Sequence, residues 1–266
     1  MKLCVIGGAG ARSAFLTKSL VKSAREIRVD HIVLLDNNEE HLRTYGQISK
    51  ELARRMEPSL TFDITSDARG ALTGADYIIT TIRAGGDAGR LFDEKTCLAH
   101  GVLGQETTGA GGFAMAIRSV PTLVYYCTLA REVSNPGHLI FNFTNPSGII
   151  TQALRSCGFA NVYGICDAPS GFIKQLEEIL DVPYGALDIE CYGLNHLSWF
   201  RNAKLDGRDV QEELLNNPRT YQHSEMRLFT REMARLSGEC MLNEYLYFYY
   251  RREKSLSMIR KAEHPR

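Results

Sequence analysis

The chain has 266 residues, and its 31 Lys and Arg balance 31 Asp and Glu, so the formal net charge is zero. A neutral chain lacks the basic footprint of non-specific nucleic-acid binding and of a polybasic membrane anchor, so neither partner is predicted. Hydrophobic residues make up 44% of the chain, which is typical of a folded protein of one large or two small domains. No run of about 18 apolar residues is evident, so no membrane-spanning helix is predicted.

Short apolar runs alternate with helical patterns through the first part of the chain. The first run ends at two glycines, and Phe15, Leu16, Leu20 and Val21 follow at helical spacing. Asp67 is a predicted N-cap, and Pro121 predicts a kink or break in a long helix. The predicted strands are 3–6, 31–35, 60–64, 77–82, 139–143 and 162–165, and the later predicted helices are 39–56, 67–72, 113–133 and 149–155.

This alternation predicts an α/β fold with a doubly wound, Rossmann-type parallel sheet over residues 1–166. The pattern then changes. Residues 188–194 and 197–205 resemble paired strands, and 225–236 and 243–258 resemble charged helices. We therefore predict a nucleotide-binding domain at 1–166 and part of an α+β catalytic domain at 167–266.

Seven cysteines are scattered along the chain without a Cys-x-x-Cys pair. An odd number without paired spacing argues against a disulfide framework and favours a reducing cytoplasm. Most of these cysteines are expected to be small buried apolar residues.

The segment from Gly8 to Ser13 follows the first predicted strand and opens the first helix. It reads Gly-Ala-Gly-Ala-Arg-Ser, so Gly8, Gly10 and Arg12 are candidates for binding a dinucleotide pyrophosphate. Asp36 ends the second strand, where a carboxylate binds the ribose of NAD and repels the 2′-phosphate of NADP. The other interpretations are a glycine-rich strand–helix turn and an ordinary Asp-Asn turn.

Cys166 ends a predicted strand of the parallel sheet, and His196 follows a later strand. Thiolate and imidazole can hold a divalent ion with positions left open for substrate oxygens. Taken alone, a buried cysteine and a hydrogen-bonded core histidine are the better interpretation of two such distant residues.

Longer motifs change that balance. The strings IITTIRAGG, GVLGQETTGAGGFAMAIRSVP, NFTNPSG, VYGICDAP and GLNHLSW occur in this order. The chain from Lys2 to about Tyr250 thereby closely resembles the family 4 glycoside hydrolases, in particular the 6-phospho-β-glucosidase branch. The resemblance implies a Rossmann domain of lactate/malate dehydrogenase type, bound NAD, a divalent metal that is usually manganese, and a 6-phosphorylated glucoside as substrate.

The family mechanism that this resemblance implies differs from the two-carboxylate glycosidase scheme. Oxidation of the sugar C3 by NAD acidifies the C2 proton, and the metal stabilises the charge that develops when a base removes it. The C1–O bond then eliminates, water adds, and NADH reduces C3 again. The hard chemistry belongs to the cofactor, and the protein positions it.

The resemblance also implies roles for individual residues. Each has a simpler alternative: a core Cys and His, a helix-capping Asp, an aromatic core Tyr, an ion-paired surface Arg, and Asn residues that fix turns. Glu106 either contacts substrate or orders Arg83. The implied roles are metal ligation by Cys166 and His196, acid catalysis by Asp167, base catalysis by Tyr245, 6-phosphate binding by Arg83, and substrate contacts from Glu106, Asn145 and Asn195.

The sequence departs from the family at several positions. Gly7-Gly8-Ala9-Gly10 replaces a triple glycine and serine, Ala14 replaces a proline, and Tyr247 replaces an arginine. Family members are also much longer, so we expect that a C-terminal part is missing here. The prediction of enzymatic activity is therefore less certain than the prediction of family membership. The alternatives are a 2-hydroxy-acid dehydrogenase of the same superfamily and an inactive NAD-binding module. Phosphorylated sugars arise inside cells, so a cytoplasmic homo-oligomer, a dimer or tetramer, is expected.

Overall fold

A computed structural model describes residues 1–261, which divide into two compact units. The first unit comprises residues 1–92 and 112–165, and the second comprises 93–111 and the described residues from 166 to 261. Residues 93–111 therefore belong to the second unit although the chain before and after them belongs to the first. The predicted division after residue 166 did not include this insertion.

The first unit is built on a six-stranded parallel sheet with the strand order β3-β2-β1-β4-β5-β6. This is the Rossmann order, and it confirms the predicted fold class. Strands are added to one side of β1 as far as β3 and to its other side from β4 onward, so the order switches between β1 and β4. The carboxyl ends of these two strands form the expected ligand crevice. The strands are β1 (Lys2–Ile6), β2 (His31–Leu35), β3 (Thr61–Thr65), β4 (Tyr77–Thr80), β5 (Leu139–Asn142) and β6 (Val162–Gly164).

Helices cover both faces of this sheet, and each face has its own core cluster of buried apolar side chains. Asp67 caps its helix as predicted, accepting the Arg69 N–H at 3.1 Å. The pattern at 39–56 is interrupted by a π-helical turn, Leu42–Gly46. The helices between residues 1 and 165 are α1 (Ser13–Ser23), α2 (Glu39–His41), α3 (Gln47–Met56), α4 (Ala68–Leu72), α5 (Gly86–Ala99), α6 (Gly109–Val133) and α7 (Ser147–Ser156).

Helix α6 differs from its prediction in two respects. It runs without a break through Pro121, because Leu123, Cys127 and Ala130 on the following turns are buried in the core of the first unit. It is also long and apolar enough to cross a membrane, judged by length and composition alone, which the sequence analysis did not expect. The core helix of a soluble protein meets the same criteria, so this is weak evidence for a membrane span.

The second unit is built around an antiparallel sheet. As predicted, β7 (Leu187–Leu194) and β8 (Leu197–Leu205) form a hairpin, and β9 (Arg208–Asp209) and β10 (Met241–Leu242) both pair with β8. Phe172 and Phe200 pack edge to face in its core, with ring centroids 4.8 Å apart.

Short helices surround this core. The two long helices predicted at 225–236 and 243–258 are each broken, the first at Phe229-Thr230 and the second at Arg251. Thr230 caps a new helix by accepting the Met233 N–H at 3.3 Å, which explains the first break. The helices are α8 (Ala168–Ile179), α9 (Gln211–Asn216), α10 (Thr220–His223), a 3₁₀ turn at Glu225–Leu228, α11 (Arg231–Leu236), α12 (Tyr245–Tyr250) and α13 (Arg252–Lys261).

All seven cysteines are free thiols, in agreement with the predicted absence of a disulfide framework. Two of them, Cys157 and Cys191, are exposed, and Cys166 is half-buried. The other four are buried, namely Cys4, Cys97, Cys127 and Cys240.

Candidate active site

The first candidate region is the glycine turn after β1, in the first unit. The N–H groups of Gly7 and Gly8 both donate to the carbonyl oxygen of Leu35, at 2.8 and 3.0 Å. A Cβ at Gly8 would lie 2.9 Å from the Val5 carbonyl oxygen, so this turn requires glycine there. A Cβ at Gly10 would meet no atom within 4 Å. The space above Gly10 is therefore open, as close approach of a pyrophosphate to the backbone requires.

Asp36 follows β2, and its carboxylate reaches back to the glycine turn. Oδ2 accepts the N–H of Ala9 at 3.1 Å, and Oδ1 accepts the N–H of Asn38 at 3.0 Å. Asp36 thus stabilises the Asp-Asn turn and also lies beside the candidate nucleotide turn. Arg12 is exposed at the start of α1. The structure brings these residues together at the carboxyl edge of the sheet.

Arg83 and Asn145 lie in the loops after β4 and β5, at the same edge of the sheet. The exposed Arg83 guanidinium pairs with the Asp87 carboxylate at 2.6 Å. The Ile82 N–H donates to Thr144 Oγ1 at 3.1 Å, which joins the Arg83 loop to the loop that carries the half-buried Asn145. These two substrate-binding candidates therefore stand on neighbouring, hydrogen-bonded loops.

Arg118, on α6, was missed by the sequence analysis. Its Nε donates to the carbonyl oxygen of Ala84 at 3.3 Å and lies 3.1 Å from the position that a Cβ at Gly85 would occupy. The glycine after Ala84 therefore leaves room for this guanidinium beside the Arg83 loop. Two arginines at one loop, one within it and one on the helix beside it, suit a phosphate group. The available signal was the arginine within the quoted string AIRSVP.

The second candidate region is the Cys–His pair of the second unit, Cys166 and His196. Cys166 Sγ and His196 Nε2 are 3.4 Å apart, although 30 residues separate them in the chain. Thiolate and imidazole ligands of one tetrahedral or octahedral ion lie about 3–4 Å from each other, given metal–ligand distances of about 2.0–2.3 Å. The predicted proximity is therefore confirmed, and the separation fits joint ligation.

The β7–β8 hairpin positions His196. Asn195 and His196 form the two-residue connection between the strands, and His196 has a φ of 58°, in the left-handed region. Its Nδ1 is buried and has no hydrogen-bond partner among residues 1–261. Asn195 is half-buried beside it. The tight hairpin thus directs the imidazole toward Cys166, which lies two residues beyond the end of β6 in the chain.

The surroundings of His196 favour a neutral imidazole in a negative field. Burial lowers the pKa of His196, while the negative charges of Asp167, Glu244 and Glu106 oppose this shift. A neutral ring keeps a lone pair for a metal, and nearby carboxylates stabilise bound positive charge. Asp167 is exposed and occupies the N-cap position of α8, although its side chain forms no cap hydrogen bond.

Tyr245, at the start of α12, packs against the imidazole with ring centroids 4.2 Å apart. Burial raises the pKa of Tyr245 to about 12, and the charges of Glu244, Glu106, Glu225 and Cys166 add to the shift. A cation bound at the pair would act in the opposite direction. The half-buried Glu106 is thus near both rings. Residues predicted from distant motifs therefore converge in the second unit.

Over the described residues 1–261, no group of three or more His, Cys, Asp or Glu side chains is arranged to hold a metal ion. The Cys–His pair offers two ligands, and any further ligands would be waters or substrate oxygens. Two protein ligands would leave most coordination positions of a divalent ion open.

The chain thus combines a Rossmann-type unit that carries an open glycine turn with an α+β unit that carries a Cys–His pair. The chain belongs to family 4 of the glycosyl hydrolases. The model "Family 4 glycosyl hydrolase" matches residues 2–182, and the model of that family's C-terminal domain matches residues 191–266. The resemblance in the sequence motifs is thereby confirmed.

Similar proteins include both anomeric types. The chain is 35% identical to a 6-phospho-beta-glucosidase of Thermotoga maritima over 82% of its own length and 51% of the relative. It is 32% identical to a phospho-alpha-glucosidase of Clostridium acetobutylicum over 93% of its length and 59% of that relative. A structure of the T. maritima enzyme with manganese, NAD⁺ and glucose-6-phosphate superposes with a TM-score of 0.88 at 31% identity, covering 99% of this chain and 62% of that one.

The chain thus spans about half the length of the first of these curated relatives. The fold alone is also shared with malate dehydrogenase from Salinibacter ruber, at 16% identity and a TM-score of 0.59. This confirms the predicted dehydrogenase-like fold without indicating dehydrogenase activity.

Proposed function

We propose that this chain takes part in the hydrolysis of 6-phosphorylated glucosides, with NAD and a divalent metal ion as cofactors. The observation that carries the proposal is the Cys–His pair, 3.4 Å from thiol to imidazole and packed against Tyr245. A 2-hydroxy-acid dehydrogenase has no evident use for this pair. The cofactors of the T. maritima structure support the same assignment.

The first unit would bind NAD at the glycine turn. Gly10 leaves the backbone open to the pyrophosphate at the start of α1, next to Arg12. Asp36 already accepts two backbone N–H groups and has further lone pairs for the ribose hydroxyls. Its negative charge disfavours the 2′-phosphate of NADP. Arg83 would hold the sugar 6-phosphate, with Arg118 beside its loop.

The second unit would hold the metal through Cys166 and His196. Manganese is proposed from the relative's structure, since a thiolate alone suits softer ions such as zinc as well. When bound, NAD supplies the oxidant for the sugar C3 and the metal ion supplies Lewis acidity at the C2 and C3 oxygens.

The chain's own residues would move the protons. Tyr245 would accept the proton from C2 as a phenolate, the form that a cation bound at the Cys–His pair would favour, and Asp167 would protonate the leaving oxygen at C1 as a carboxylic acid. Asn145 and Asn195 would bind sugar hydroxyls, and Glu106 would contact substrate. Asp167 is exposed, which allows it to exchange protons with water between turnovers.

We assign the substrate to the β series because of the GLNHLSW motif, while the relatives named above include both a 6-phospho-beta-glucosidase and a phospho-alpha-glucosidase. A cytoplasmic location and a homo-oligomeric assembly, dimer or tetramer, complete the proposal. Both follow from the substrate and the family rather than from a feature of either unit.

Aryl 6-phospho-β-glucoside and its α anomer, each offered with NAD and Mn²⁺ together and singly, test this function. We expect release of the phenol from the β anomer only when both cofactors are present, without net accumulation of NADH. Release from the α anomer alone would overturn the β assignment. Net NADH from a 2-hydroxy acid would indicate a dehydrogenase, and NAD binding without any turnover would indicate an inactive module.

Replacement of Gly10 by valine is expected to weaken NAD binding by about tenfold or more while leaving the melting temperature unchanged. A Cβ added at Gly10 meets no protein atom within 4 Å, so we expect the substitution to reduce the affinity for NAD and not the stability of the fold. Calorimetric titration with NAD and a thermal melt measure the two effects. Ala160→Val, at an exposed position of the same unit, is the matched control. Unchanged NAD affinity in Gly10→Val would contradict the assigned pyrophosphate site.

A further inference from the structure

Glu225, in the 3₁₀ turn of the second unit, has a half-buried carboxylate that the proposed mechanism does not use. One of its oxygens, Oε2, accepts two hydrogen bonds from the segment just before α12. The donors are Asn243 Nδ2 at 2.8 Å and the Glu244 N–H at 3.0 Å. A single carboxylate oxygen therefore holds two consecutive residues next to Tyr245.

Asn243 relays this contact to the tyrosine and to the hairpin. Its side chain is 1% exposed, and Oδ1 accepts the N–H of Tyr245 at 3.2 Å. Its backbone N–H donates to the carbonyl oxygen of Ser198 in β8 at 3.1 Å. Ser198 lies two residues after His196 in the same hairpin. The start of α12 is thus fixed to the strand that follows the histidine.

Glu225 is itself fixed from a third direction. Its N–H donates to Gln175 Oε1, on α8, at 2.9 Å. The neighbouring Arg227 pairs with Glu244 at 2.8 Å instead of with Glu225. Burial, with the charge of Glu244, raises the pKa of Glu225 to about 7, while the two donated hydrogen bonds and the positive charge of Arg227 stabilise its ionised form.

We infer that Glu225 is a positioning residue, which sets the place of the Tyr245 phenol relative to His196 through Asn243 and Glu244. This inference rests on the proposed function of Tyr245. A displacement of about 1 Å at a catalytic group costs about 100-fold in rate. Loss of the Glu225 hydrogen bonds at the start of α12 should therefore have a measurable effect on turnover. The side chain does not touch the reacting atoms in this assignment.

The test places 3-fluorotyrosine at position 245 in the full chain and records its ¹⁹F resonance, with the turnover of aryl 6-phospho-β-glucoside measured in parallel. We expect Glu225→Ala to shift or broaden the resonance. The kcat of the Glu225→Ala variant should fall about 10- to 100-fold while its KM stays within about threefold of the wild type. The kinetic isotope effect from deuterium at the substrate C2 should be larger than in the wild type. Glu225→Gln, which keeps an acceptor oxygen, should restore both readouts. Glu232→Ala, on the exposed first turn of α11, is the control.

An unchanged resonance in folded Glu225→Ala overturns the inference, as does an unchanged kcat in an active protein. If Glu225→Ala does not fold, Glu225→Asp withdraws the carboxylate by one methylene and should displace the same resonance. A wild-type chain without turnover refutes the proposed function alone, because the resonance still reports whether Glu225 positions the ring.

Discussion

Replacing Cys166 by serine, or His196 by alanine, is expected to abolish Mn²⁺ binding by the chain and to reduce metal-dependent turnover by roughly a thousandfold or more. Cys166 and His196 are the only two protein ligands of the proposed site, so the loss of either leaves the metal ion a single protein ligand. Gly10 and Asp36, the NAD candidates, stand in the other unit, so NAD affinity should stay within about twofold of the wild type.

Electron paramagnetic resonance of Mn²⁺ and fluorescence titration of NADH measure these two properties, and neither measurement needs turnover. Cys191→Ser is the matched control, because Cys191 is an exposed free thiol of the same unit. Full activity of Cys166→Ser in the presence of a chelator would contradict both the proposed metal site and the proposed metal-dependent mechanism. Equal loss of NAD binding in the two variants would instead indicate general misfolding.

The first unit was largely predictable from sequence because its strands are continuous apolar runs. His31–Leu35 is observed as predicted, and the other strand boundaries move by one or two residues. Long-range effects explain the main errors. Pro121 does not break α6, since the helix gains buried contacts on the far side of the proline, and no local pattern reports that gain.

The segment 86–111 was the largest omission. Helix α5 starts with glycines and charged residues, so its hydrophobic period is weak, and the sequence analysis assigned no helix there. Its second half and the loop after it belong to the second unit. Only the contacts of the folded chain could place Glu106 near His196 and Tyr245.

The sequence predicted the candidate site residues but not the residues that hold them in place. Motif resemblance singled out Cys166, His196 and Tyr245, which converge. Arg118 and Glu225 were not predicted, because their meaning depends on partners far along the chain, such as Ala84 for Arg118 and Asn243 for Glu225. No local sequence motif marks a carboxylate whose role is to position another residue.

Replacement of Tyr245 by phenylalanine is expected to lower turnover by about 100- to 10,000-fold, the range typical of a lost general base. The substitution removes one oxygen and keeps the ring that packs against His196 at 4.2 Å and Phe248 at 5.8 Å between centroids. The fold and the Cys–His pair should therefore be preserved, and Mn²⁺ and NAD affinities should remain within about threefold.

Exchange of the C2 hydrogen of the 6-phosphoglucoside with deuterated water separates this role from the others. A missing base stops proton removal at C2, so Tyr245→Phe should lose exchange and turnover together, while Asp167→Asn should lose turnover and keep some exchange. Tyr249→Phe, an exposed tyrosine of the same helix, controls for the loss of a hydroxyl. Exchange at the wild-type rate in Tyr245→Phe would assign the base to another residue, because a phenyl ring cannot accept the proton.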